Sequence, residues 1–123
     1  MMNSVIQVTG DVKYTIHLDP TIWIFDERRF PLEERLDGVS GLAVELAPFL
    51  ANAEPSEKAT KLICRRRQGE DVVISMEEAK KAYLCFAKDN KPIREGGPAL
   101  LYLADGSNKD QPVDYLTHLE VAE

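Results

Sequence analysis

Residues 72–90 read VVISMEEAKKAYLCFAKDN, and the fold turns on how this stretch is divided. Three apolar β-branched residues, Val72, Val73 and Ile74, run directly into Ser75-Met76-Glu77-Glu78. A serine three residues before a glutamate forms a capping box: the hydroxyl accepts from one amide left unpaired at a helix start, and the glutamate reaches back to another. The stretch therefore predicts a strand over 72–74 followed by a helix over about 76–88. Ala79, Ala82, Tyr83 and Phe86 form its inward stripe, with Tyr83 and Phe86 expected to be buried. Glu78, Lys80, Lys81 and Lys88 stay in water, and Asp89-Asn90 ends the helix.

Working towards the N-terminus, KATKLICR predicts a strand from Leu62 to Arg65 that turns at Gln68-Gly69. Residues 41–53, GLAVELAPFLANA, place Leu42, Leu46, Phe49 and Leu50 at helical spacing with Ser40 as N-cap, and Pro48 must kink or split that helix. TIWIF at 21–25 is β-branched and aromatic and reads as a short buried strand after Asp19-Pro20. In VIQVTGDVKYTIHL, residues 5–18, the apolar side chains fall on even positions around Gly10-Asp11. That is a hairpin, with a three-residue loop setting Val8 opposite Val12 and Ile6 opposite Tyr14. Towards the C-terminus, ALLYL at 99–103 is a strand after Gly96-Gly97-Pro98. A polar loop then leads to a last strand carrying Val113, Leu116, Leu119 and Val121. The expected fold class is α+β, a mixed β-sheet with about two helices, in one domain over 1–123.

Hydrophobic residues make up 44% of the 123 and charged residues 29%, so a packed core is expected rather than disorder. The net charge of -6 works against general attraction to nucleic acid or anionic lipid. No apolar run approaches the roughly 18 residues that span a bilayer, and the start has neither a basic nor an apolar leader segment, so a cytoplasmic location is expected. Cys64 and Cys85 each sit in an apolar element and read as buried free thiols. With His17 and His118 the only histidines, no zinc-ligand spacing exists and no metal site is expected.

VTGDV and TIHLDP near the start, Ile74 to Ala79, Asp89-Asn90-Lys91-Pro92-Ile93, Gly96 to Leu101 and Tyr115 to Val121 follow one another as pieces of a known pattern. The chain resembles a minimal version of the molybdopterin-binding domain of sulfite-oxidase-like oxidoreductases. The resemblance implies that fold. In that family a cysteine thiolate between the first hairpin and the first helix ligates molybdenum, and the corresponding interval here, TIWIFDERRFPLEERLDG, has no cysteine. The family's basic residue after GGP is replaced by Ala99-Leu100, and Val113-Asp114-Tyr115 stands where the family tends to carry a lysine and a tryptophan. The expectation is a small binding or protein-interaction module with an oxidoreductase-like fold and no cofactor. Its partner would be a protein or a small anionic ligand, not nucleic acid or membrane. The alternative is a reduced molybdopterin-dependent oxidoreductase, or another small enzyme working from residues 26–29.

Two charge clusters are candidate binding residues. Asp26, Arg28 and Arg29, with Glu27, occupy the place of the family's cysteine; a carboxylate beside an arginine can anchor a ligand or form a surface ion pair. Arg65, Arg66 and Arg67 are the one concentrated run of positive charge. They read as an exposed turn paired with Glu70 and Asp71 and dispensable for folding, or as a site for an anion or acidic partner. No aromatic residues interleave with these arginines, which argues against nucleic acid. His17 is expected to be exposed. Gly96-Gly97-Pro98 is expected to be structural, since it lacks the lysine, hydroxyl and following helix of a phosphate loop.

Overall fold

The computed structural model describes residues 5–123. In chain order the elements are β1 (Ile6–Gly10), β2 (Ile16–Leu18), a 3-10 turn (Pro20–Phe25), β3 (Phe30–Pro31), a second 3-10 turn (Leu32–Glu34) and β4 (Leu42–Glu45). There follow α1 (Ala47–Ala53), β5 (Lys61–Arg66), β6 (Val72–Ser75), α2 (Met76–Lys81), β7 (Tyr83–Lys88), β8 (Lys91–Pro92), β9 (Leu100–Tyr102) and β10 (Leu116–Ala122).

Two sheets result. The first has the order β2-β1-β10-β5-β6 and is mixed, because β1 runs parallel to β10 while the other neighbours are antiparallel. The second is antiparallel: β7 pairs with β4 on one edge and with β9 and β8 on the other, and β3 extends it beyond β4. The main core lies between the sheets and joins Ile6, Val8, Leu62, Leu84, Leu101 and Leu119, among others. A second core of Phe30, Leu32, Leu36, Val39, Ala43, Cys85 and Tyr102 gathers separately around the second sheet. The architecture is α+β, as the sequence predicts.

The capping box forms: Glu78 N–H donates to the Ser75 hydroxyl at 3.0 Å, and Ser75 N–H donates to the Glu78 carboxylate at 2.9 Å. The helix it starts is shorter than expected. It ends at Lys81, Ala82 is extended (φ -72°, ψ 157°), and Tyr83–Lys88 is strand β7. A strand enclosed on both sides loses the alternation that distinguishes it from a buried helix. Here Leu84 and Phe86 join the main core, while Cys85 joins the second, with Tyr83 packed against it. Phe86 is buried, as expected, but Tyr83 is only half-buried.

Three other expectations change. In the hairpin, Val8 faces Ile16 and Ile6 faces Leu18, residues 11–15 connect the strands, and the three-residue loop is wrong. Either register keeps the even residues on one face, and the choice is made by β10, which draws Thr9 and Gly10 into pairing with Glu120 and Val121. Gly10 (φ 90°) lies so close to β10 that a Cβ would sit 2.2 Å from the Val121 carbonyl oxygen. TIWIF is a 3-10 turn rather than a strand: Asp19 caps it by accepting from Thr21 N–H, and Pro20 supplies the first-turn geometry. Only Trp23 of the five is buried; Ile22 and Phe25 remain 59% and 83% exposed. The single helix over 41–53 is replaced by β4 and α1. Pro48 stands in the first turn of α1, where its missing N–H costs nothing, and Ser40 caps no helix.

Replacing Ser75 by Ala should destabilise the fold by about 1 kcal/mol through the lost cap, and Leu84→Ala by about 3 kcal/mol through loss of packing in the main core. Urea denaturation followed by tryptophan fluorescence checks both. A small effect at Leu84 would contradict the central placement of β7.

Candidate functional site

A cleft of about 290 Å³ opens where the first 3-10 turn, the end of β7 and residues 90–98 meet. Phe86, Ala87, Ile24, Ile93 and Pro98 make it predominantly apolar, and Arg67 and Arg94 bring two positive charges to it. Beyond Arg67, Gly97 and Pro98 lies a smaller cleft of about 170 Å³ with a more polar lining that includes Gln7, Tyr115, Thr117 and His118.

Local backbone geometry builds these walls. β7 and β8 are joined by Asp89-Asn90, both with positive φ (53° and 62°), a combination matching the twist of a two-residue hairpin and favoured by Asp and Asn. Asn90 thereby reaches the larger cleft. At Gly97 a Cβ would fall 2.1 Å from the Ile93 carbonyl oxygen, so only glycine lets the loop fold back this tightly. Gly96 accepts a hydrogen bond from Tyr115 N–H at 2.7 Å, and the Tyr115 carbonyl accepts one from Arg67 N–H at 2.8 Å. Tyr115 itself is left-handed (φ 54°), a conformation that costs a side-chain-bearing residue about 1–2 kcal/mol. Its two backbone bonds hold it there, with its ring 5.3 Å from the Arg67 guanidinium. Strain of this kind gathers where structure positions a ligand. On the opposite side, Trp23 stacks on Phe49 at 5.2 Å and meets Phe86 edge-on at 5.9 Å, which anchors the turn carrying Ile24.

The predicted arginines have different fates. Arg65 pairs with Asp71 and Glu120, each at 2.8 Å. Arg66 pairs with Asp114 and donates to the backbone carbonyls of Asp114 (3.0 Å) and Glu70 (3.2 Å). Its side chain is 22% exposed, which corrects the expectation that all three arginines are exposed. Arg67 alone of the three lines the clefts. Asp26, Arg28 and Arg29 line neither. Arg28 takes both oxygens of Asp26 at 3.0 and 2.9 Å, and Arg29 donates to the Asp26 carbonyl at 2.9 Å. Those hydrogen bonds from Arg28 hold the Asp26 carboxyl below the ordinary carboxylate range. Arg28 also lies 5.2 Å from the Phe49 ring, so this cluster is tied to its own surroundings.

Among the polar cleft residues that the sequence did not mark as candidates are Arg94 and His118. Arg94 had a faint signal, a cation two residues before a double glycine. His118 had none: its Nδ1 lies 2.9 Å from the Thr117 hydroxyl, a placement that follows from the irregular pairing of β10 with β5 between Leu116 and His118. His17 is exposed, as expected.

The two thiols line neither cleft and are fully buried. Burial, with a smaller contribution from the Asp71 charge, pushes the Cys64 thiol up to about 12. Burial also raises Cys85, whose Sγ donates to the Ala87 carbonyl at 3.5 Å. A molybdenum ligand must be a thiolate presented at a cofactor site, and neither cysteine fits that requirement. Among the described residues no group of three or more His, Cys, Asp or Glu side chains is arranged to hold a metal ion.

No protein-family model matches the chain, and no curated protein matches it in sequence. Its fold is similar to that of the sulfane dehydrogenase SoxCD from Paracoccus pantotrophus, with a TM-score of 0.69 and 14% sequence identity over 98% of this chain. The match covers 39% of that chain, so this protein spans well under half of its neighbour's length. The likeness establishes a related fold. No helix is long and apolar enough to cross a membrane among the described residues.

Arg66→Ala should cost about 2 kcal/mol, since it breaks charge-assisted hydrogen bonds in a partly buried setting, whereas Arg67→Ala should cost less than about 0.5 kcal/mol. Paired urea titrations separate the two, and equal costs would mean that Arg66 is not held as described. Both cysteines should resist a thiol-specific disulfide reagent at pH 8 in the folded protein and react together on unfolding. Rapid labelling of either in the native state would contradict its burial.

Proposed function

We propose that this protein is a binding module for anions that carry an apolar group, held in the cleft between Ile24 and Pro98. The observation that carries this reading is a contrast among the arginines. Arg65 and Arg66 are neutralised by carboxylates, while Arg67 and Arg94 form no ion pair among the described residues and face an apolar cleft. A guanidinium beside a poorly hydrated wall is a strong partner for carboxylate, sulfonate or phosphate, because its planar donors match two oxygens at once. The apolar walls add roughly 25 cal/mol for each Å² of hydrocarbon they cover. The oxidoreductase-like fold supplies the scaffold, and with neither thiol at the cleft no step is routed through molybdenum.

A fluorescence titration with 1-anilinonaphthalene-8-sulfonate, an aromatic sulfonate, tests the proposal. One saturable site is expected, weakened about tenfold by Arg67→Ala, the loss of one charge-assisted hydrogen bond. Arg65→Ala should leave the titration unchanged. Several equivalent weak sites, or indifference to Arg67, would rule the reading out.

A further inference from the structure

The apolar cleft does not end at Arg94. Through Pro92, Ile93 and Arg94, which line both cavities, it continues into a shallower groove of about 620 Å³ where Lys88 and Lys91 join Arg94. Along the combined strip lie four cations, Arg67, Arg94, Lys91 and Lys88, against one carboxylate, Glu95. The whole chain carries 15 basic and 21 acidic side chains, so the strip opposes the sign of the molecule around it. Lys88 is positioned by donating to the Ser40 carbonyl at 3.0 Å and to the Tyr102 hydroxyl at 3.4 Å. Lys91 and Arg94 are exposed and form no ion pair among the described residues.

Positive charge thus lies at Arg67, which the cleft shares with the smaller cleft, and at Arg94, which it shares with the outer groove, an arrangement that fits an extended partner with an apolar group between negative ones. We propose that the strip docks an acidic segment of another protein. One aliphatic or aromatic side chain enters the cleft between Ile24 and Pro98, and flanking carboxylates pair with Arg67 on one side and with Arg94 and Lys91 on the other. The inference rests on the anion-binding reading of the cleft and extends it to a partner. Nucleic acid fits less well. The one aromatic residue lining the strip is Phe86, 4% exposed, which offers no stacking face for a base.

Fluorescence polarisation with a labelled peptide of about ten residues, one central tryptophan among glutamates and aspartates, tests this inference. Saturable binding is expected, weakened about tenfold or more by raising salt from about 50 to about 300 mM, by Lys91→Glu, and by replacing the peptide's tryptophan with alanine. Lys91 lines only the outer groove, so Lys91→Glu should leave the sulfonate titration unchanged. If the sulfonate binds and the peptide does not, the docking inference fails while the cleft reading stands; if the peptide binds and the sulfonate does not, the inference loses its basis in the cleft. Peptide binding indifferent to Lys91→Glu or to loss of the tryptophan would overturn the inference, as would tighter binding of a single-stranded oligonucleotide.

Discussion

Strand β7 has to satisfy two cores at once, and the position of every other element in the second sheet follows from that requirement. Leu84 and Phe86 commit one face to the space between the sheets, and Cys85 commits the other to the cluster around Phe30, Leu32 and Tyr102. Because both of its faces are occupied, both of its edges must find hydrogen-bonding partners, which β4 provides on one side and β8 and β9 on the other. The strand also carries Phe86 and Ala87 to the larger cleft, so the same element that joins the cores forms part of the candidate site.

The remaining walls come from segments with little regular structure. The tight approach of Gly97 to Ile93 and the left-handed backbone of Tyr115 are local conformations that a loop could not keep alone. They persist because Gly96, Tyr115 and Arg67 are linked in series by backbone hydrogen bonds, which tie residues 96–98 to the end of β5. The resulting site puts two guanidinium groups beside hydrocarbon, an electrostatic setting in which an anion is held more strongly than at an open surface.

A shared fold does not carry a shared chemistry, since function depends on the groups that a scaffold presents at one place. The similarity to the sulfane dehydrogenase SoxCD concerns the path of the chain at 14% identity. At the position where the resemblance calls for a cysteine ligand, this protein has an ion-paired loop at Asp26 and Arg28, and its two thiols are enclosed elsewhere. The candidate site is correspondingly made of arginine, loop backbone and apolar side chains.

The sequence by itself determined the features governed by neighbouring residues. The capping box at Ser75 and Glu78, the alternating faces of β1 and β2, the turn at Gly69 and the break at Pro48 all arise from contacts within a few residues, so their signals are local. The sequence pattern also carried the α+β class and named Arg67 among its candidates. Tertiary structure decided what depends on distant partners. Residues 83–88 became a strand because two cores claimed its faces, and the hairpin register was set by the parallel pairing of β1 with β10. Three consecutive arginines were sorted by the carboxylates that the fold brought to them: Glu120 and Asp71 to Arg65, Asp114 to Arg66, and none to Arg67 among the described residues. Whether a guanidinium is neutralised or left facing a cleft depends on groups as many as 55 positions away, a separation across which no local pattern can inform the sequence.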